Sequence, residues 1–332
     1  MRKLIRKATG LTVGVATLLA GLVLPMTASA ESASPIDASP IIHYSFDNAL
    51  TSKTIANEGS AANSDATLSG DATVANGQIN LTGSQTISVP TTAIAGKKDV
   101  TVSIGLKNNY GNGNTAAAYI GAAKTGNYPA NGYWLLNPAN PSGYAKSVMT
   151  NATAADPNNS PWGTEVGPGS TNAATIGTKA TSDLALYTTV ISGTNSTMSF
   201  YLNGKQVGDA TYTIPAGGLT NYGDLVAYIG KSSYADPNSK LDVDDYAVYD
   251  TAISAADVTK LYDAQVLDKA EAAVKAAVPA SATEDFALPT SAAGVSIAWK
   301  SGNAAIAVDN ATGKATVTRP AATAADAEGT LT

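Results

Sequence analysis

IIHYSFD at residues 41–47 and LDVDDYAVYDTAISAADVTKLYD at residues 241–263 decide how this chain is read. Both alternate apolar and polar residues with the two-residue period of a half-buried strand. The second then passes into a helix, opened by Ser254 with Asp257 three residues on as a capping box. Taken as the two ends of one domain, they enclose strand-like runs at 66–68, 78–81, 86–89, 100–107, 184–191, 198–202 and 225–230, split by Gly, Asn, Asp and Pro. The pattern predicts an antiparallel β-sandwich whose terminal strands pair. Asn203-Gly204, between two such runs, predicts a hairpin turn, because both residues accept positive φ.

Outside that domain the chain changes character. Residues 1–30 carry Arg2, Lys3, Arg6 and Lys7, then an apolar stretch over 11–24, then Ala28-Ser29-Ala30, the three-part layout of a secretory signal peptide cleaved near Ala30. The apolar stretch is shorter than the ~20 residues that span a bilayer, so membrane insertion is not expected. Residues 31–40, rich in Ser, Ala and Pro, read as a flexible leader. The 332-residue chain has no Cys, so an exported product must rely on core burial, and on any bound metal, for its stability. A formal charge of −6, with no basic patch after the leader, argues against nucleic acid and anionic membranes as partners.

Past the sandwich, an Ala-rich stretch over 265–279 keeps helical spacing, with Glu271 and Lys275 four apart, and Pro279 stops it. Residues 280–332 then carry LPT at 288–290, IAWKSGN around Trp299 and ATGKATVTRP ending at Pro320.

The pieces YLNGK, AYIGKSSY and DVDDYAVYDTAIS, in that order, resemble the laminin-G-like, concanavalin A-like jelly-roll domains of secreted bacterial carbohydrate-active proteins, over residues 41–264. The stretch after Pro279 resembles the shortened immunoglobulin-like domains of bacterial secreted glycosidases, in which the Trp belongs to the core, as expected for Trp299. The fold class that follows is all-β: a concanavalin A-like jelly-roll sandwich, then a small, incomplete immunoglobulin-like sandwich. The pairing is similar to the non-catalytic front of family 43 arabinan- and arabinoxylan-degrading hydrolases. The resemblance implies a carbohydrate-binding accessory region, acting as a monomer on a polysaccharide, with a catalytic domain expected beyond residue 332. A cell-surface adhesin or lectin, or a ligand-free spacer, are the alternatives.

Catalytic chemistry finds little footing. The single His, His43, lies inside a strand and reads as structural or surface packing. The sandwich holds only Glu58 and Glu165, far apart and in loops, and lacks a Glu-rich catalytic strand, so no catalytic residue is assigned. Alternation puts Asp242 and Asp244 on one face of their strand and Asp245 on the other. Pairing of the terminal strands would bring Asp47 to them, and the resemblance implies a structural calcium ion held by oxygen ligands. The other role open to these four aspartates is as solvated or hydrogen-bonded turn residues.

Sugar recognition is expected in residues 108–179, a loop-rich segment full of Asn, Gly, Pro and Ser, where functional loops on a sandwich are placed. It gathers Tyr110, Tyr128, Tyr133, Trp134, Tyr144 and Trp162, residue types that stack on a sugar ring while offering a polar edge. Trp162, Trp134, Tyr133, Tyr128 and Tyr144 are the ligand-binding candidates. Trp134, in the apolar run YWLL, equally suits the core, and Trp162, in SPWGTEVGPG, equally suits anchoring its own loop.

Overall fold

The computed structural model describes residues 11–14, 36–125, 128–129, 132–150, 161–170, 183–208, 211–292, 295–321 and 327–331. The chain divides into a larger unit, Ser34–Tyr262, and a smaller one made of Met1–Ala33 and Asp263–Thr332.

The larger unit is a sandwich of two antiparallel sheets. One has eight strands, in the spatial order Glu165–Val166, Lys146–Thr150, Tyr133–Asn137, Ala118–Ala122, Leu225–Ile229, Thr86–Val89, Ala66–Ser69 and Thr54–Ile55. The other runs Lys205–Gln206, Thr197–Leu202, Ala185–Ser192, Asp99–Asn108, Leu241–Tyr249, Gln78–Leu81 and Thr73–Ala75, with Ile42–Tyr44 and Tyr212–Thr213 added to make nine. The terminal strands do pair: Ile42 faces Val248 and Tyr44 faces Tyr246. Asn203 and Gly204 turn at φ of 52° and 73°, as two-residue hairpins require.

Alternation along each strand fills the space between the sheets. Ala118 and Ile120, Trp134 and Leu136, and Ala227 and Ile229 point inward from the eight-stranded sheet, against Val102, Ile104, Tyr187, Phe200 and Tyr246 of the other. The outer face of the nine-stranded sheet is covered too, where Val190, Tyr201, Ala247 and Tyr249 pack with Ile36, Ile253 and Val258.

Three sequence expectations change in the structure. Residues 108–179 carry strands as well as turns: among the described residues they supply Ala118–Ala122, Tyr133–Asn137, Lys146–Thr150 and Glu165–Val166, one side of the eight-stranded sheet. Their strands are short and sit among turn residues, which masks the two-residue period. Two helical pieces are one helix, Ala255–Ala277, capped as expected by Ser254, whose hydroxyl accepts the Asp257 N–H at 3.2 Å. Finally, the Leu241–Tyr249 strand has a bulge between Val243 and Tyr246. The inserted residue shifts the alternation, so Leu241, Val243, Tyr246 and Val248 are the core residues. Asp245 therefore faces outward with Asp242 and Asp244 instead of opposite them.

In the smaller unit, Phe286–Ala287, Lys314–Val317 and Ile306–Asp309 form one sheet, and Glu328–Leu331 pairs with Leu11–Gly14. Trp299 is buried among Leu288, Ile306, Ala315 and Leu331, and its Nε1 donates to the Pro289 carbonyl at 2.8 Å. Among the described residues no helix is long and apolar enough to cross a membrane.

Candidate functional site: an aromatic row on the eight-stranded sheet

The inward residues of three adjacent strands are aliphatic or Trp, and each strand turns a tyrosine outward. Tyr119 alternates with Ala118 and Ile120, Tyr133 with Trp134, and Tyr228 with Ala227 and Ile229. Strand register sets Tyr228 directly opposite Tyr119, and Leu135 opposite Tyr119 on the other side. Ring centroids follow at 6.2 Å from Tyr228 to Tyr119, 5.7 Å from Tyr119 to Tyr133, and 5.4 Å from Tyr133 to Tyr234, the last pair edge-on. Trp162 closes the row, 6.4 Å from Tyr234 and tilted 54° to it. Such offset and edge contacts suit the aromatic quadrupole and add to the apolar area buried beneath.

The middle of the row is sealed, since Tyr119 and Tyr133 have no exposed surface. Its ends are open. Tyr228 and Tyr234 are partly buried, and Trp162 is 43% exposed, more than either. At the Tyr228 end the Lys231 ammonium sits 4.1 Å above the ring centroid, a cation–π contact.

A polar chain runs under the Trp162 end. Tyr234 Oη donates to Tyr133 Oη at 3.1 Å, Tyr133 Oη donates to Glu165 Oε1 at 2.6 Å, and Glu165 Oε2 meets Lys146 Nζ at 2.7 Å. Burial, then the Glu165 charge, raise the Tyr133 pKa well above its ordinary value, so its hydroxyl stays a donor at any working pH. Asp236 also lies within electrostatic reach of Lys146; desolvation raises its carboxyl pKa and Lys146 pulls it back down.

The sequence candidates distribute unevenly over this site. Trp162 belongs to it and is exposed. Tyr133 belongs to it too, but as a buried support with no face to offer a ligand. Trp134 does not: it points into the core, fully buried, with Nε1 donating to Ser147 Oγ at 3.1 Å, so sugar contact there is corrected to packing. Tyr144 lies in a turn in which Asn140 Oδ1 accepts its backbone N–H. Tyr128 is on the short strand Tyr128–Pro129, and its side chain falls outside the described residues. Tyr119, Tyr228 and Tyr234 were missed as candidates, although the alternation of AYIG and VAYIG around inward Ile already turns both strand tyrosines outward.

The four aspartates read as calcium ligands are not gathered at one point. Asp242 accepts from Asn80 Nδ2 at 2.5 Å and Asn109 Nδ2 at 2.9 Å, and Asp244 from Gln78 Nε2 at 3.4 Å. Asp245, re-aimed by the bulge, meets His43 Nε2 at 2.9 Å. Among the described residues no three His, Cys, Asp or Glu side chains converge as metal ligands. These contacts of Asp242, Asp244 and Asp245 match the hydrogen-bonded role open to the aspartates; a structural calcium ion stays a proposal, checked by the thermal midpoint with and without EGTA.

His43 instead centres a proton-binding cluster. Its Nδ1 lies 3.6 Å from Glu58 Oε2, and Ser45 donates to Glu58 Oε1 at 2.8 Å. Burial alone would lower the His43 pKa; the hydrogen bond and charge of Asp245, with Glu58 and Asp47, outweigh it and raise it. Asp47 is raised as well, by desolvation and by Asp245 and Glu58. Both shifts mean that the folded state binds protons more tightly than the unfolded one. The His43 share of stability is therefore complete below its unfolded value of about 6.5 and is lost as pH rises through its higher folded value. We expect the thermal midpoint to fall between neutral and mildly alkaline pH, and His43→Gln to flatten that fall; a His43→Gln profile parallel to wild type would refute the assignment.

No protein family and no curated protein matches this sequence. Solved structures do. Domain 4 of AbnA, an extracellular GH43 arabinanase from Geobacillus stearothermophilus solved with arabinotriose, is similar over 68% of this chain and 100% of that domain, at 19% identity and a TM-score of 0.47. The receptor-binding domain of the botulinum neurotoxin C/D mosaic serotype is similar over 70% of this chain and 53% of its own, at 15% identity and 0.46. Trypanosoma rangeli sialidase follows at 13% identity and 0.45, over 70% of this chain and 33% of its own. This chain thus spans the whole arabinanase domain, about half of the toxin domain and a third of the sialidase.

Proposed function

We propose that the larger unit is a glycan-binding module whose contact surface is Trp162 with Tyr234, on the outer face of the eight-stranded sheet. The observation that carries this reading is a half-exposed Trp set against a second ring on a supported aromatic row. An indole in that position presents an apolar face to the C–H side of a sugar ring and leaves its polar N–H edge for hydrogen bonding. No nucleophile or acid–base pair accompanies it among the described residues. Of the two glutamates of the sandwich, Glu165 is sealed in its ion pair beneath the row, and Glu58 belongs to the His43 cluster.

The finer assignment, argued from the sequence resemblance, is an extracellular accessory role: the module keeps a plant polysaccharide such as arabinan or arabinoxylan beside the hydrolase domain of its parent protein. Retention on immobilised arabinan, arabinoxylan, arabinogalactan and mucin glycans, with Trp162→Ala alongside, tests it. We expect selective retention on an arabinose-rich polymer, weakened tenfold or more in Trp162→Ala, as loss of an aromatic anchor worth ~2 kcal/mol requires. Because Trp162 is exposed, the same variant should change unfolding stability by no more than about 0.5 kcal/mol. Selective binding to mucin would move the assignment to a host-glycan lectin, and no retention on any polymer would leave a spacer.

A further inference from the structure

Trp162 sits on a single turn of 3₁₀ helix, Pro161–Thr164, too short to hold a ring by its own hydrogen bonding; inside the turn the Thr164 hydroxyl donates to the Pro161 carbonyl at 2.8 Å. The residue directly after the turn is Glu165. It is 5% exposed, and it begins a two-residue strand that pairs with the sheet edge, Glu165 opposite Thr150 and Val166 opposite Met149. Its carboxylate reaches two neighbouring strands: Lys146 on Lys146–Thr150, and Tyr133 on Tyr133–Asn137. Through the Tyr133 hydroxyl the same carboxylate connects to Tyr234, the ring against which Trp162 lies.

A buried ion pair is a costly way to secure an edge strand, because packed apolar residues of the same volume stabilise as well or better. What the pair supplies here that an apolar residue does not is direction. It fixes the start of the strand, and so the turn before it, and it orients two hydroxyls in series. We propose that Glu165 is a positioning residue for the glycan platform, holding the Trp162 turn and the Tyr234 ring in register with one another through Lys146 and Tyr133. Its purpose rests on the glycan-binding reading, whereas its geometry can be tested without any glycan.

Trp162 can be followed alone. Of the three tryptophans in the sequence, Trp134 is fully buried and Trp299 is 6% exposed, so iodide quenching of indole fluorescence reports Trp162. The variants are Glu165→Ala, Glu165→Gln and Tyr133→Phe in the full chain, with Trp162→Phe as the control that removes the quenchable signal. Glu165→Ala frees the turn and should raise the quenching constant by about twofold, because full exposure is about twice 43%. Glu165→Gln keeps an acceptor for Tyr133 and should lie closer to wild type; Tyr133→Phe should move quenching in the same direction as Ala. Binding to soluble arabinan should weaken by about tenfold in Glu165→Ala, the scale of a hydrogen bond to a charged group, with restoration toward wild type in Glu165→Gln. Unchanged quenching in folded Glu165→Ala overturns the proposal, and if that variant does not fold, unchanged quenching in Tyr133→Phe does so. A wild-type chain that binds none of the polymers but shows the quenching pattern overturns the glycan reading and leaves the positioning role supported.

Discussion

Trp134→Ala is expected to lower the unfolding free energy by about 3–5 kcal/mol, the range for removing a large aromatic side chain from a packed core. Trp134 has no exposed surface and packs with Ile120, Leu136 and Met149 between the two sheets, and its indole N–H is spent on Ser147 Oγ. Truncation leaves a cavity between the sheets and takes one of two partners from a buried hydroxyl; Ser147 keeps its contact with Thr189 Oγ1 at 2.8 Å. Urea unfolding with equal m-values would measure the loss. Set beside Trp162→Ala, the result separates the two tryptophans by role: one variant loses stability, the other ligand. A Trp134→Ala protein as stable as wild type would mean that the sandwich core is not where the structure puts it.

Gly132→Ala should cost of the order of 3 kcal/mol or more, through backbone strain and overpacking together. Gly132 has φ of 105°, a conformation that L side chains rarely adopt. A β-carbon there would fall 2.0 Å from Thr150 Oγ1 and 2.9 Å from the Tyr222 ring, and neither has room to yield. Tyr222 is fully buried and donates to the Thr150 carbonyl at 2.9 Å, while Thr150 Oγ1 accepts the Tyr133 N–H at 3.0 Å. The damage therefore reaches the base of the aromatic row, so glycan retention should fall along with stability. A thermal midpoint within experimental error of wild type would contradict the packing described for this corner.

What the sequence disclosed and what it withheld divide along a physical line. Where one side of a strand is buried against the other sheet, the two-residue period is legible, and Leu241–Tyr249, Gln78–Leu81 and Thr86–Val89 have the bounds that the pattern predicts, or nearly so. Where a strand is covered on both faces the period disappears. Tyr133–Asn137 is buried at every position, so YWLL reads as an apolar run without direction, and nothing local says that Trp134 turns inward while Tyr133 turns outward. The bulge at Asp244-Asp245 has the same character. It adds one residue to an otherwise regular strand, and only the pairing partner reveals which face Asp245 takes.

The site itself was half legible. Trp162 stood out because an indole among Ser, Pro and Gly has no apolar company in the sequence. Its supports did not, because they come together through long-range pairing. Tyr234 and Tyr133 are more than a hundred residues apart, and Glu165 looks like an ordinary loop acid until the strand it begins is placed beside Lys146. The partners of the aspartates are hidden for a related reason: Asn80, Asn109 and Gln78, which donate to Asp242 and Asp244, lie far from them in the sequence.

The most direct test of the central claim is protection of Trp162 from iodide by soluble glycan, with arabinan as the first probe and Trp162→Phe as the blank. The account predicts saturable protection, with a matching shift in indole emission, because the ligand stacks on the one exposed tryptophan. Glycan binding seen by calorimetry with no change in Trp162 quenching would contradict it, placing the contact surface elsewhere on the sandwich.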